Sequence, residues 1–271
     1  MMKQFLILLL VALSTMGFAQ DRPEIHCKHF FKGYPFGTPT SNDLIIRDIY
    51  ALSNNDQTKF ADWVVYRLTM HEVEGNLDIK RKWKADPWLA ENETLEPSPA
   101  SKEDYKGANK GMGVDRGHQA PLASFKGSRF ASQSNMLSNI TPQKKDMNQG
   151  CWKNLEEAVR NLVRTGKTVY VMTGPLYNRN MPSLPNADEA HIVPSGYWKV
   201  VVCITGSKSY EVAAFLMDQE SARTDSVLSK LVTVNQVEKL SGLDLLWELP
   251  DSEESQIEAV KNSNWASTWV K

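Results

Sequence analysis

An α+β fold with a mainly antiparallel sheet is the class this 271-residue sequence predicts, on three observations. Strand-like runs cluster at both ends of one long irregular stretch; one clear amphipathic helix follows; and no regular alternation of strand and helix occurs, which argues against a parallel sheet.

The elements follow in order. Residues 20–43 are rich in Pro, Gly and polar side chains and predict an exposed N-terminal arm leading into a strand from Leu44 to Ala51. Trp63 to Met70 is β-branched and aromatic, as a buried strand should be. Lys80 to Trp83 then runs into a stretch from Pro87 to Asn109 with neither helical nor strand period, a long surface loop. From Trp152 the apolar positions Leu155, Ala158, Val159, Leu162 and Val163 recur in steps of three and four, one face of a helix that Gly166 stops. Asp146 followed by Gln149 predicts a cap just upstream. Thr168 to Thr173, Trp198 to Ile204 and Tyr210 to Met217 are three strands, the last two joined by the turn-like TGSKS. Val232 to Leu249 predicts a helix through Val237 and Leu240 and then a short strand.

Composition excludes several classes. At 41% hydrophobic and 23% charged the chain is an ordinary globular one, neither disordered nor collagen-like. Residues 1–19 place Lys3 before an apolar run from Phe5 to Leu13 and small residues at Gly17 and Ala19, the three parts of a secretory signal. The run is shorter than the roughly 20 apolar residues of a membrane span, so no membrane association is expected after the signal is removed. The expected product is exported, periplasmic or extracellular, with residues 44–271 forming a single domain behind the 20–43 arm. Formal net charge is −1, and loss of Lys3 makes it one unit more negative. Any polyanion site must therefore be a local patch. Three cysteines, Cys27, Cys151 and Cys203, allow one internal disulfide at most and show no metal-ligand spacing.

Chemistry concentrates in a few residues. Of five histidines, His118 stands in GVDRGHQAP, where Gly117 is expected to let the backbone turn and crowd Asp115, Arg116 and His118 around one corner. An imidazole so flanked can serve as a base near neutral pH. Asn148, Trp152 and Glu156 fall on one side of an α-helix, with Asn148 and Glu156 about 12 Å apart along its axis. That geometry suits a hard cation bound by the Asn148 amide oxygen, with Glu156 holding one of its waters. Lys80, Arg81, Lys82 and Lys84 surround Trp83, and Lys126, Arg129, Lys144 and Lys145 flank the motifs, a pattern that could track phosphates. Trp83 reads as packing rather than base stacking, and His191 as structural.

DRGH at 115–118, SNITPQ at 138–143 and NQGCWKNLE at 148–156 together resemble the signature of the DNA/RNA non-specific endonucleases with a ββα-metal site, secreted bacterial members above all. RKWKADP at 81–87, TGPLY at 173–177, PSGYWKV at 194–200 and AAFLMDQ at 213–219 extend the resemblance over roughly residues 60–219. It implies a hairpin carrying DRGH and a helix carrying Asn148 as one ββα-metal unit. It further implies His118 as the base that activates water, Asn148 as the direct ligand of Mg²⁺ (with Mn²⁺ able to substitute), and Glu156 acting on the ion through water. Arg81 and Arg116 would neutralise the scissile phosphate, Asn139 would order the site around His118, Asp115 would brace the turn, and Lys80, Lys82 and Lys144 would contact substrate. The implied substrates are double- and single-stranded DNA and RNA, cut to leave 5′ phosphates. A homodimer is a further family expectation, for which the sequence identifies no surface. Two rivals fit less well. A binding protein without catalysis would be expected to lack His118, Asn148 or Glu156, and a zinc nuclease needs more histidines than the motif region holds.

Overall fold

A computed structural model describes residues 22–97 and 103–271; the signal expected over residues 1–19 lies outside them. Seven strands form one antiparallel sheet in the order β1 (Asp43–Ile46), β2 (Ala51–Asn55), β3 (Phe60–Leu68), β6 (Thr168–Leu176), β7 (Gly196–Ile204), β8 (Tyr210–Asp218) and β9 (Leu231–Val232). The intervening β4 (Val114–His118) and β5 (Ile140–Lys144) pair only with each other, antiparallel, with His118 opposite Ile140. The helix Lys153–Arg164 follows this hairpin, so the sequence 114–164 forms two strands and a helix set against the large sheet.

Both faces of the sheet are covered, which is why its strands read as continuous apolar runs rather than alternating ones. Along β3, Val64, Tyr66 and Leu68 face one cluster, which includes Trp152, Leu155, Val159 and Val163 from the helix. Trp63 and Val65 face the opposite cluster, with Trp198, Val200 and Val202 of β7. Each fully buried Leu or Val of the helix contributes about 1.5–3 kcal/mol. The helix ends where expected, as Gly166 takes φ +86° and its N–H returns to the Val163 carbonyl at 2.9 Å.

Several elements differ from the expectations. The arm is not exposed: His29 and Tyr34 are buried, and Phe30, Phe31 and Phe36 pack on the second cluster. A sheet face bearing Trp63, Trp198, Val65, Val200, Val202 and Val212 needs a cover, and the arm's aromatics supply part of it. The run Leu44 to Ala51 is two strands, because the chain reverses after Ile46 and Arg47 N–H bonds the Tyr50 carbonyl. The stretch 87–109 is not merely surface, since Leu95, Tyr105 and Ala108 fill a third cluster with Phe60, Val114 and Ile140. After the helix Val234–Ser241 no strand follows; Gly242 at φ +73° turns the chain, and Leu243, Leu245, Leu246 and Leu249 are buried without a ladder. Helices Asp251–Glu258 and Ser263–Trp269 complete the chain.

Gly117 does not turn the backbone. It lies within β4, and a Cβ there would meet the Gln143 side chain at 2.1 Å, so the glycine is needed for space between the hairpin strands. Asp146 and Gln149 form no cap either; both hold Arg223, at 3.1 and 2.8 Å. All three cysteines are free thiols.

His29 fastens the arm to the sheet by both ring nitrogens: Nε2 meets the Arg47 carbonyl at 3.0 Å and Nδ1 accepts from the Arg67 N–H at 3.4 Å. Burial pushes its pKa down to about 4 from 6.5, the Arg47 carbonyl opposing the shift. The unfolded chain therefore binds more protons between these values, so this contribution to stability is complete above pH 6.5 and is lost as pH falls through 4. The shift corresponds to about 3 kcal/mol. Denaturant unfolding at pH 7 and pH 4 should show the wild type losing about that much more stability than His29→Gln; equal losses in the two proteins would remove His29 from the acid response.

Candidate active site

A cleft of about 570 Å³ opens where the hairpin meets the helix, and Arg81, Arg116, His118, Asn148 and Glu156 all line it, with Asp115, Trp83, Tyr105 and Lys153. Period-two geometry puts Arg116 and His118 on one face of β4. The segment carrying Arg81 is brought in by backbone bonds from Lys84 N–H to the Asn135 carbonyl, 3.1 Å, and from Leu137 N–H to the Lys84 carbonyl, 2.9 Å. These pack Trp83 against His118, with ring centroids 5.4 Å apart and ring planes tilted by 40°. The Arg116 guanidinium lies 5.5 Å from Trp83 and 5.3 Å from Tyr105, a cation held between two aromatic rings. Its Nη2 is paired with the Glu103 carboxylate.

His118 has a defined tautomer. Nε2 is 3.0 Å from the Asn135 Oδ1, an atom that only accepts, so Nε2 carries the proton and Nδ1 is the bare nitrogen. Burial lowers the His118 pKa to about 4, with Arg81 acting in the same direction and the Asn135 bond opposing it, so the imidazole is neutral at pH 7. Asn135 carries no motif of its own. It precedes SNITPQ by three residues, and only the fold of the 119–139 connection brings it to the ring.

Asn139 does not line the cleft. Its buried amide is consumed by backbone: Oδ1 accepts from Ala120 N–H at 2.8 Å, and Nδ2 donates to the Ala120 and Ser134 carbonyls at 2.9 and 2.8 Å. It thus pins the chain on either side of His118 and Asn135.

Asn148 stands one irregular turn before the helix. The turn Asn148–Trp152 is wide, and Gly150 inside it leaves helical geometry at φ −102°, ψ −114°, so the regular spacing expected between Asn148 and Glu156 does not hold. Any Cβ on Gly150 would meet the Arg223 backbone at 2.6 Å. The bend presents Asn148 to β4, where its Nδ2 donates to Asp115 Oδ2 at 3.0 Å. Gln149 and Asn109 donate to the same carboxylate at 2.7 and 3.0 Å. With Nδ2 so committed, the amide oxygen of Asn148 is the atom left for the cleft.

Glu156 lines the cleft, its carboxyl pushed up by burial, with the charges of Lys199 and Arg160 opposing the shift. The lysines fall outside: Lys80 and Lys82 are exposed beside Arg81, and Lys144 sits 3.4 Å from Glu220. His191 bonds backbone through both nitrogens, to Leu184 N–H and the Glu189 carbonyl, each at 2.8 Å, as its structural reading expected.

The arrangement offers a neutral base, a fixed amide oxygen, a carboxylate and two arginines around one cleft. The sequence matches the DNA/RNA non-specific endonuclease family over residues 31–252. It is 43% identical to the "Nuclease" of Serratia marcescens over 82% of this chain and 83% of that protein. It is 29% identical to the human "Endonuclease G, mitochondrial" over 77% of this chain and 71% of that protein. A solved structure of the EndoG/EndoGI complex superposes with a TM-score of 0.62 at 24% identity, covering 79% of this chain and 89% of that one, a likeness of fold. With the cleft, the motif residues around it and these matches together, the chain belongs to the DNA/RNA non-specific endonuclease family and is an enzyme that cuts within nucleic acid chains.

Proposed function

We propose that this protein is an exported, sugar-nonspecific endonuclease that hydrolyses DNA and RNA with Mg²⁺ and a His118-activated water, leaving 5′ phosphates. The observation that carries the reading is the bare Nδ1 of a neutral His118 in the cleft that Asn148 and Glu156 also line. The donor set suits a hard ion: an amide oxygen and a carboxylate line the cleft, no cysteine does, and its one histidine is already bonded to Asn135. Asn148 would hold the ion directly and Glu156 through water, with Mn²⁺ able to replace Mg²⁺. When bound, it supplies charge stabilisation to the transition state and the departing 3′ oxygen.

The chain's own groups account for the remainder. His118 Nδ1 takes the proton of the attacking water, with Trp83 packed against the ring and Asn135 bonded to its other nitrogen. Arg81 and Arg116 neutralise the phosphate, Arg116 exchanging the Glu103 carboxylate for a phosphate oxygen. Asn139 acts by pinning the backbone rather than by touching substrate. Attack by water needs no ribose 2′ hydroxyl, which is why one site serves both DNA and RNA. Lys80, Lys82 and Lys144 extend the positive rim along the backbone of single or double strands. Export follows from the 1–19 segment, residues 44–271 act as one catalytic domain, and a homodimer is kept as part of this reading.

Supercoiled plasmid and ribosomal RNA should both be degraded with Mg²⁺ and spared with EDTA. His118→Ala should lower turnover about 10²–10⁴-fold while DNA binding is retained; near-normal turnover would remove the base. Asn148→Ala should lower rate and raise the Mg²⁺ requirement together, and an unchanged metal titration would contradict its role as ligand. Glu103→Gln should lower KM for DNA by about twofold or more, because a half-exposed ion pair competing for Arg116 is lost; an unchanged KM would show that Arg116 does not exchange partners.

A further inference from the structure

Three acidic side chains from separate parts of the chain meet at one corner of the large sheet: Asp43 at the start of β1, Asp56 in the turn between β2 and β3, and Glu93 in the short turn Glu91–Glu93. Each places a carboxylate oxygen within 4.8 Å of one from each of the others, and all three residues are half-buried. Asp43 lies opposite Asn54 in the β1–β2 ladder, so both side chains leave the sheet on the face that carries Ile45 and Leu52. None of these four polar residues lines the cleft.

Two buried oxygens at this corner have no partner. Asn54 is 0% exposed; its Nδ2 donates to the Glu93 carbonyl at 2.8 Å, which sets the amide between Asp43 and Glu93, and its Oδ1 is unbonded. Asp56 Oδ1 is also buried and unbonded. Both atoms only accept, so neither can satisfy the other. The nearby ammonium of Lys59 is spent on backbone, donating to the Asp56 carbonyl and, at 2.5 Å, to the Asn92 carbonyl. Among the described residues no ion pair reaches any of the three carboxylates.

Buried acceptors without donors and gathered like charges are both unfavourable, and a hard cation relieves both at once. Oxygens that bind one Ca²⁺ at about 2.4 Å lie at most about 4.8 Å apart, the limit within which these three carboxylates fall. Carboxylates from three elements, an amide oxygen and room for water suit the irregular shell of roughly six to eight oxygens around Ca²⁺ better than the strict octahedron of Mg²⁺. We propose that Asp43, Asp56 and Glu93, with the Asn54 amide oxygen, form a Ca²⁺ site separate from the cleft, one that ties the 91–93 turn to the corner of β1, β2 and β3. It is independent of the roles given to His118, Asn148 and Glu156. A half-exposed site on surface turns belongs at the weaker end of calcium affinities, with Kd on the order of 10⁻⁴–10⁻³ M.

The test is thermal unfolding of the full, EDTA-stripped chain titrated with Ca²⁺, wild type beside Asp43→Asn/Glu93→Gln. Gln at 93 keeps an acceptor for the Ala90 N–H that Glu93 holds at 2.6 Å, so the turn is preserved. Ca²⁺ at about ten times Kd should raise the wild-type midpoint by about 3–6 °C more than that of the variant. The cleft is the same in both proteins, so the difference reads the acidic corner alone. Without Ca²⁺ the variant should be at least as stable as the wild type, because like charges have been removed. Mg²⁺ at the same concentration should shift the two proteins alike. Equal Ca²⁺ shifts, or a variant less stable than the wild type in EDTA, would overturn the proposal, and a Mg²⁺ difference as large as the Ca²⁺ difference would overturn the choice of ion. Should the double variant fail to fold, Asp43→Asn alone decides: calorimetric titration with Ca²⁺ should show binding weakened about tenfold or more, and an unchanged isotherm refutes the site.

Discussion

A two-stranded hairpin cannot stabilise itself in water, and the whole site hangs on one. β4 and β5 bond to no other strand, so the position of His118 depends on how the hairpin is fastened to the sheet and the helix. On the sheet side, Tyr197 Oη and Gln219 Nε2 both donate to the Pro142 carbonyl at 2.7 Å, and Gln219 Oε1 receives the Lys144 N–H at the same distance. On the helix side, the Asp115 carboxylate collects Asn148 and Gln149. At the far end, the Asn139 amide locks Ala120 to Ser134. Base, amide oxygen and helix thus share one frame, and each fastening uses a side chain at its full hydrogen-bonding capacity or close to it.

Electrostatics divide the cleft into layers. At its wall the histidine is kept neutral by burial and by nearby Arg81, which suits a proton acceptor. Around its mouth, Arg81 and Arg116 concentrate positive charge in a protein whose total charge is close to zero, and the proposed mechanism directs that charge at phosphate. The charges of the buried Lys199 and Arg160 oppose the upward shift that burial gives Glu156.

Much of this was legible in the sequence because the chemistry sits in short, ordered motifs. Arg81, Arg116, His118, Asn148 and Glu156 were all named from them, and the structure gathers all five at one cleft. What escaped has a physical reason in each case. Asn135 reaches His118 through the folding of an irregular connection with no period. Gly117 looked like a turn residue, but its absent side chain makes room for Gln143, a neighbour across the hairpin. The wide turn at Gly150 breaks a helical spacing that composition alone presents as regular. Lys199 looked like part of a strand, and only the register of β7 shows that it faces the helix. In the fold, the central strands were plain because both faces are apolar, whereas the arm hid its packing role behind Pro and Gly.

Catalysis by this cleft depends most directly on the state of one imidazole. Nitrogen-15 spectra of the histidine rings, with the His118 signals assigned by their loss in His118→Gln, would read its tautomer and titration in the intact protein. The structure predicts a proton on Nε2, a bare Nδ1 and no imidazolium until the pH approaches about 4. A proton on Nδ1, or a ring that is already cationic near pH 6.5, would contradict the arrangement from which the base is derived.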